Sequence, residues 1–375
     1  MQAEAKQEGD EASSGVLITE EALAQVREEI GRAYKIPQYN SVATPDAIRH
    51  YALGMGDDNP LWIDPEYGVG TRWGQMIAPS LFIMSCGFPR SRGLPGVHGL
   101  FTGIDLHCHE PIKAGTPITA MCSLYKLEEK QGRYAGRQFQ QVFETNYSDD
   151  NGKVLSTLYS HNFRTERKGG KSGGKYAGIE RQHYDDAMRA RIEADLDAEK
   201  RNRRGAETLY FEDVKVGDKI PAVVKGPLTV TDCICFLMGF GYIFVKAHRQ
   251  AYEFRKRHPG AGILDNYGVW DIPERVHWED DLPKQIGMPA AYDYGPQRIG
   301  WFDHCVSDWK GDDGFTRRLS VRVSAPNFIG DTTWISGTVT RLDPEAGVAF
   351  IDLEAIDQRG RINSTGQAEV VLQRR

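Results

Sequence analysis

The feature that most constrains this chain is a weak internal repeat. Residues 43–56, ATPDAIRHYALGMG, have a counterpart in residues 228–241, LTVTDCICFLMGFG. Each has a Thr/Asp cap, a short apolar helix and a closing Gly-x-Gly, and the step from Gly56 to Gly241 sets a helix offset between the copies. Further on, PIKAGTPI (111–118) matches PNFIGDTT (326–333), and the step from Pro111 to Pro326 sets a longer strand offset. The second copy therefore holds an insertion between its helix and its strands, and the stretch 242–271 is the candidate.

After each Pro-x-x-x-Gly come three strand-like runs, 118–130, 134–148 and 153–165 in the first copy and 333–343, 347–357 and 362–373 in the second. Turn residues at Gly132, Asn151–Gly152, Gly347 and Gly360 suit antiparallel hairpins. A second helical candidate precedes the strands in each copy, at 80–88 and at 296–309. The order strand, short helix, central helix and long meander predicts an α+β fold in which a curved antiparallel sheet wraps one helix, built twice.

Between the copies, 166–175 is a Gly/Lys linker, and 179–205 is a polar stretch of helix formers with too few apolar residues for a core. The expected organisation is a disordered tail at 1–18, a first unit at 19–165, a linker with an exposed helix at 166–207 and a second unit at 208–375. A net charge of −6 gives no global basic field, so a nucleic-acid partner is not expected. No run comes near the length of continuous apolar sequence that a membrane span needs, and the start lacks the basic and apolar regions of a signal peptide. A cytoplasmic protein without a membrane segment, its six cysteines as thiols, is the expectation.

The segments YALGMGDDNPLWIDPEYG (51–68), IAPSLF (77–82) and HWEDDLPKQIGMPAAYDYG (277–295) resemble the MaoC-like acyl dehydratase and R-specific enoyl-CoA hydratase family. The resemblance implies a double hotdog: two curved antiparallel sheets, each wrapping a central helix. It also implies reversible hydration of trans-2-enoyl-CoA to 3-hydroxyacyl-CoA, with coenzyme A entering only as part of the substrate and no other cofactor. Further association, as a homodimer or hetero-oligomer, stays open.

The family's motif is Asp-x-Asn-Pro-x-His, in which Asp and His hold one water. Asp57, Asn59 and Pro60 fit it, but Trp62 takes the His position, and indole has no basic nitrogen to shuttle protons. The strand offset carries Trp62 onto His277. The motif Asp then falls on Ile272, with Asp271 beside it and Asp57 as the competing carboxylate. The expected catalytic residues are His277, Asp271 and Asp57. Gly295, at the start of the second central helix, is expected to offer its N–H to the thioester carbonyl, with Tyr294, Trp62 and Asn59 against the substrate.

Two other readings compete with hydration: an acyl-CoA-binding subunit that needs a catalytic partner, and an acyl-CoA thioesterase, since a fold does not fix a reaction. Arg298, Arg317 and Arg318 are candidates for the coenzyme A phosphates. Trp73, Tyr242, Tyr267, Trp270 and Tyr292 join Trp62 and Tyr294 as aromatics that permit a bulky acyl group. His107, Cys108 and His109 lack a third ligand at a characteristic spacing, so no metal is expected. Cys233-x-Cys235 reads as core, and 248–260 as a solvated basic helix or a cover over the site.

Overall fold

The computed structural model describes residues 17–89, 91–95, 97–130, 137–166, 176, 178–241, 245–259, 262–285 and 288–375. In the first half, helix α1 (Glu20–Glu28) leads to strand β1 (Tyr34–Lys35), helices α2 (Pro45–Gly54), α3 (Pro60–Ile63) and α4 (Pro65–Val69), and a 3-10 helix at Ser80–Cys86. Strands β2 (His98–Cys108), β3 (Thr119–Lys130), β4 (Gln138–Ser148) and β5 (Val154–Thr165) follow. Helix α5 (Asp186–Asn202) comes between the halves. The second half opens with β6 (Lys219–Lys225), α6 (Val230–Phe240), α7 (His248–Arg257), β7 (Ile263–Leu264) and β8 (Trp270–Asp271). A 3-10 helix at Pro273–His277, α8 (Asp281–Gln285) and α9 (Gly295–Lys310) precede β9 (Phe315–Val323), β10 (Thr333–Asp343), β11 (Val348–Asp357) and β12 (Ile362–Val371).

The repeat helices start where their sequences say they should. Thr44 accepts the Ala47 N–H with Pro45 in the first turn, and Thr229 forms a reciprocal capping box with Asp232. Helices α2 and α6 then pack on each other through Gly54 and Gly239, which are counterparts by the helix offset. A Cβ on Gly54 would stand 2.8 Å from the Cys235 carbonyl oxygen, and one on Gly239 would overlap the His50 carbonyl. Only glycine lets the two backbones come this close.

All strands except β7 and β8 form one antiparallel sheet in the order β1-β3-β4-β5-β2-β9-β12-β11-β10-β6. The halves meet where β2 pairs with β9, and Asp105 faces Ser320 there. The strand offset relates these two, so a residue and its own repeat counterpart lie opposite each other, as a two-fold relation between the halves demands. Loop hydrogen bonds repeat the same relation. Ala43 N–H donates to the Thr116 carbonyl (2.9 Å) and Leu228 N–H to that of Asp331 (2.8 Å). Ala78 N–H donates to Ile112 (2.8 Å) and Asp293 N–H to Asn327 (2.9 Å).

The sheet curls around the two central helices. Leu81–Cys86 are all buried, as is every residue from Pro296 to Lys310. The first central helix differs from the sequence expectation, being a seven-residue 3-10 helix where α9 runs for sixteen residues. Strands β2 and β9, which make the seam, lie outside the runs read from the sequence. Helix α5 buries only Ile192, and α7 buries none of its residues, as expected of solvated helices. All six cysteines are thiols, with Cys233 buried and Cys235 exposed. Among the described residues, no helix is long and apolar enough to cross a membrane. Most of the expected tail (1–16), most of the Gly/Lys linker (167–175), Gly132 and Tyr242 lie outside the described residues.

Candidate active site

His277 closes the 3-10 helix at Pro273–His277 and turns back toward the start of α9. Its Nδ1 lies 2.7 Å from the Tyr292 carbonyl oxygen. A carbonyl only accepts, so Nδ1 carries the proton and Nε2 keeps its lone pair. The ring stacks on Tyr294, with centroids 3.7 Å apart, and meets Tyr292 edge-on at 5.1 Å.

An aromatic chain drawn from both halves continues from there. Tyr294 packs on Phe236, Phe236 on Phe240, Phe240 on Phe88, and Phe88 on Phe101, with centroid distances of 4.9 to 6.0 Å. Phe101 closes the loop over Gly295, where a Cβ would come 2.5 Å from its ring. Desolvation among these rings pushes the His277 imidazole down to about 4, against the opposing pull of the Tyr292 and Asp293 backbone. The side chain is therefore a neutral imidazole at ordinary pH. Next to it, Gly295 begins α9 and Pro296, with no N–H, follows, so Gly295 supplies the first backbone donor of that helix end.

The carboxylates expected beside His277 are placed elsewhere. Asp271 is partly exposed on β8, with one oxygen accepting the Ile272 N–H (2.8 Å) and the other 3.5 Å from Arg275. Asp57 is buried in the first half. It accepts the Trp62 indole N–H (2.8 Å) and the Asn59 N–H (3.0 Å), while the Asn59 side chain caps α3 through the Leu61 N–H (3.0 Å). Asp57 lies beside His304, nine residues along α9 from Gly295, or about 13 Å of helix rise. The motif remnant and His277 thus occupy opposite ends of α9.

The first-half counterpart of the start of α9 is closed. Ser80, which the strand offset pairs with Gly295, lines a cavity of about 30 Å³ together with Trp62, Trp73, Cys108 and Lys310. That is room for about one water. The Leu81 N–H at this helix start is taken by the Asp303 carboxylate at 3.0 Å. Burial raises Asp303 to about 6, with the buried Lys310 ammonium opposing the shift. A substrate oxyanion would meet a carboxyl group where the second half offers a backbone donor.

The repeat register slips near the motif. Pro60 and Pro273 both open a short helix, yet Pro273 falls two positions short of the strand offset. Counting from the helix starts therefore puts Arg275 where Trp62 stands. The β-bridges Ile77–Lys113 and Tyr292–Phe328 keep the strand offset and put His277 there. Arg275 is buried between Asp271 and Glu279, which leaves the ring of His277 to face α9.

Of the three arginines considered for phosphate binding, Arg298 is corrected. It is fully buried, paired with Asp293 and bonded to the Ala325 carbonyl, so it reaches no solvent-borne phosphate. Arg317 and Arg318 are partly exposed and both pair with Glu369. Sequence reasoning also missed His304 and Asp308, which bring buried polar atoms to Asp57. Their signal was a His–Asp pair at i, i+4 on an otherwise apolar helix face.

Residues 29–158 match the model of the FAS1-like dehydratase domain region. No curated protein matches the chain. Among solved structures, the chain is similar to a MaoC-like dehydratase (TM-score 0.63, 17% identity, covering 93% of this chain and 100% of that one). It is also similar to a putative MaoC domain dehydratase from Chloroflexus aurantiacus (0.55, 10% identity, 92% and 96%). A third similar structure is a conserved hypothetical protein with a double hotdog fold from Mycobacterium tuberculosis (0.54, 10% identity, 92% and 96%). The chain thus has the double hotdog fold of these structures, and its first half carries the FAS1-like dehydratase region.

Proposed function

We propose that this protein interconverts trans-2-enoyl and 3-hydroxyacyl thioesters of coenzyme A, and that His277 is its general base. The supporting observation is a neutral imidazole, fixed through Nδ1 by the Tyr292 carbonyl and stacked beside the start of α9. In the hydration direction, Nε2 takes a proton from water as the hydroxide oxygen bonds to C3. The electron pair of the alkene moves toward the thioester carbonyl, and the Gly295 N–H holds the resulting enolate oxygen. The imidazolium then returns its proton to C2, and the ring is neutral again.

The aromatic chain from Tyr294 to Phe101 forms an apolar wall on one side of this centre. Asp271 joins the proton relay only by leaving Arg275, so His277 carries the larger share. The test is a panel of short, long, branched and aromatic enoyl-CoAs, followed by loss of enoyl absorbance with the purified chain. His277→Ala should lower turnover about 10²–10⁴-fold with the fold intact. Retention of a tenth or more of the activity would remove the assignment.

One observation favours the acyl-CoA-binding reading instead: both Asp271 and Asp57 are engaged away from His277. Tight binding of acyl-CoA with no turnover across the panel would select it. Release of coenzyme A with no change at the enoyl band would select a thioesterase.

A further inference from the structure

A second polar centre lies about 13 Å along α9 from Gly295 and has no part in the chemistry proposed for His277. It is assembled from four distant segments. Asp57 comes from the turn after α2, Glu199 from α5, Lys225 from β6, and His304 and Asp308 from one face of α9.

Three carboxylate oxygens converge on one nitrogen. His304 Nε2 is 3.3 Å from Asp308 Oδ2, 3.7 Å from Glu199 Oε1 and 3.8 Å from Asp57 Oδ1. His304, Asp57 and Asp308 are 2%, 3% and 6% exposed. Within the protein, Asp308 Oδ1 accepts from Arg203 Nε (3.1 Å) and Glu199 Oε2 from the Val224 N–H (2.7 Å). Their other oxygens face the imidazole. Neither His304 Nε2 nor Asp308 Oδ2 has a hydrogen-bond partner among the described residues.

We infer that Asp57, His304 and Asp308, with Glu199 at the rim, bind a first-row divalent transition cation that joins the two halves to helix α5. Two physical arguments carry this. The first is spacing. Bonds of about 2.1 Å in a tetrahedral site put ligand atoms about 3.4 Å apart, close to the distances around Nε2. An imidazolium paired with a carboxylate would instead draw it to about 2.7–2.9 Å. The second is charge. Asp57, Asp58, Asp308 and Glu199 face two cations, Arg203 and Lys225, so a divalent ion balances the cluster. One imidazole with carboxylates suits zinc or manganese better than thiol-seeking metals.

Lys225 Nζ stands 2.8 Å from His304 Nδ1.

The test uses the full chain without a histidine tag. Metal content is measured as purified, and the chelator-stripped protein is then titrated calorimetrically with ZnCl₂, MnCl₂ and MgCl₂. The expected result is one equivalent of zinc or manganese per chain with Kd below about 10 μM, magnesium at least tenfold weaker, and a higher melting temperature when loaded. Asp308→Asn and His304→Gln should each weaken binding tenfold or more, and circular dichroism of the stripped variants checks their fold. Absence of binding at 100 μM, or binding that both variants leave unchanged, overturns the proposal. Because the readout is metal occupancy, its failure is independent of any failure of the dehydratase reading.

Discussion

Trp62 gives its indole N–H to the Asp57 carboxylate at 2.8 Å, at the position where the pattern Asp-x-Asn-Pro-x-His has its histidine. The bond fixes Asp57, and the indole lines a cavity with room for about one water. It also explains why the rest of the motif, Asn59 and Pro60, persists here as a helix cap.

Trp62→His therefore should not create a second active centre. Asp303 already holds the Leu81 N–H at that helix start, and Lys310 lies 5.7 Å from the Trp62 ring. The expected outcome is a loss of about 3–5 kcal/mol, by analogy with truncation of a buried tryptophan. Denaturant melts combined with activity in a His277→Ala background check it, and new turnover in the double variant would contradict it.

The pH profile of turnover should reflect the burial of His277. An exposed histidine ionises near pH 6.5, while this one is held down to about 4. The base is neutral above its folded value, so kcat/KM should stay level from pH 8 to about 5 and halve near 4. Stability follows the same sign. The unfolded imidazole takes a proton below about pH 6.5 and the folded one only near 4, so the stabilising contribution present at neutral pH is lost between them. An acid limb centred near 6.5, with the fold intact by circular dichroism, would show that the ring is solvated in the working enzyme.

Arg298 and Asp293 form a fully buried pair beside the start of α9. Arg298→Met should cost about 3–5 kcal/mol, because it strands the Asp293 charge. The double variant Arg298→Met/Asp293→Leu should recover part of that loss. Equal melts for wild type and the single variant would mean that the pair adds nothing to stability.

Asp303→Ala removes the acceptor of the Leu81 N–H and should destabilise by about 1–3 kcal/mol. Its pH dependence has the opposite sign to the usual carboxylate. Folded Asp303 titrates near 6 and an unfolded one near 3.8, so its ionised form becomes a burden as pH rises through that window. The gap between wild type and variant should therefore narrow from pH 4 to pH 7 in thermal melts.

The two-fold architecture was legible because turns and caps leave local marks. The Thr-capped helices and the Pro-x-x-x-Gly segments gave both offsets, and paired loop hydrogen bonds bear them out. Strands β2 and β9 were not legible. They follow directly on the central-helix regions, and each pairs with a partner in the other half of the chain. His277 could be found through the strand offset, but its carboxylate could not, because the insertion shifts the local register by two positions against the helix starts. The cluster around His304 was hidden for a related reason. Its members are scattered from residue 57 to residue 308, and no spacing within one segment announces them.

The bond from the Val224 N–H to Glu199 gives helix α5 a duty beyond connecting two lobes. Strand β6 ends the ten-stranded sheet, and the outward backbone groups of a terminal strand invite another chain to add itself. By resting along β6 and occupying one of those donors, α5 blocks that templating site. A chain trimmed of this helix would keep the shared hydrophobic core yet expose a sticky border, and its expected failure is self-association in solution rather than unfolding.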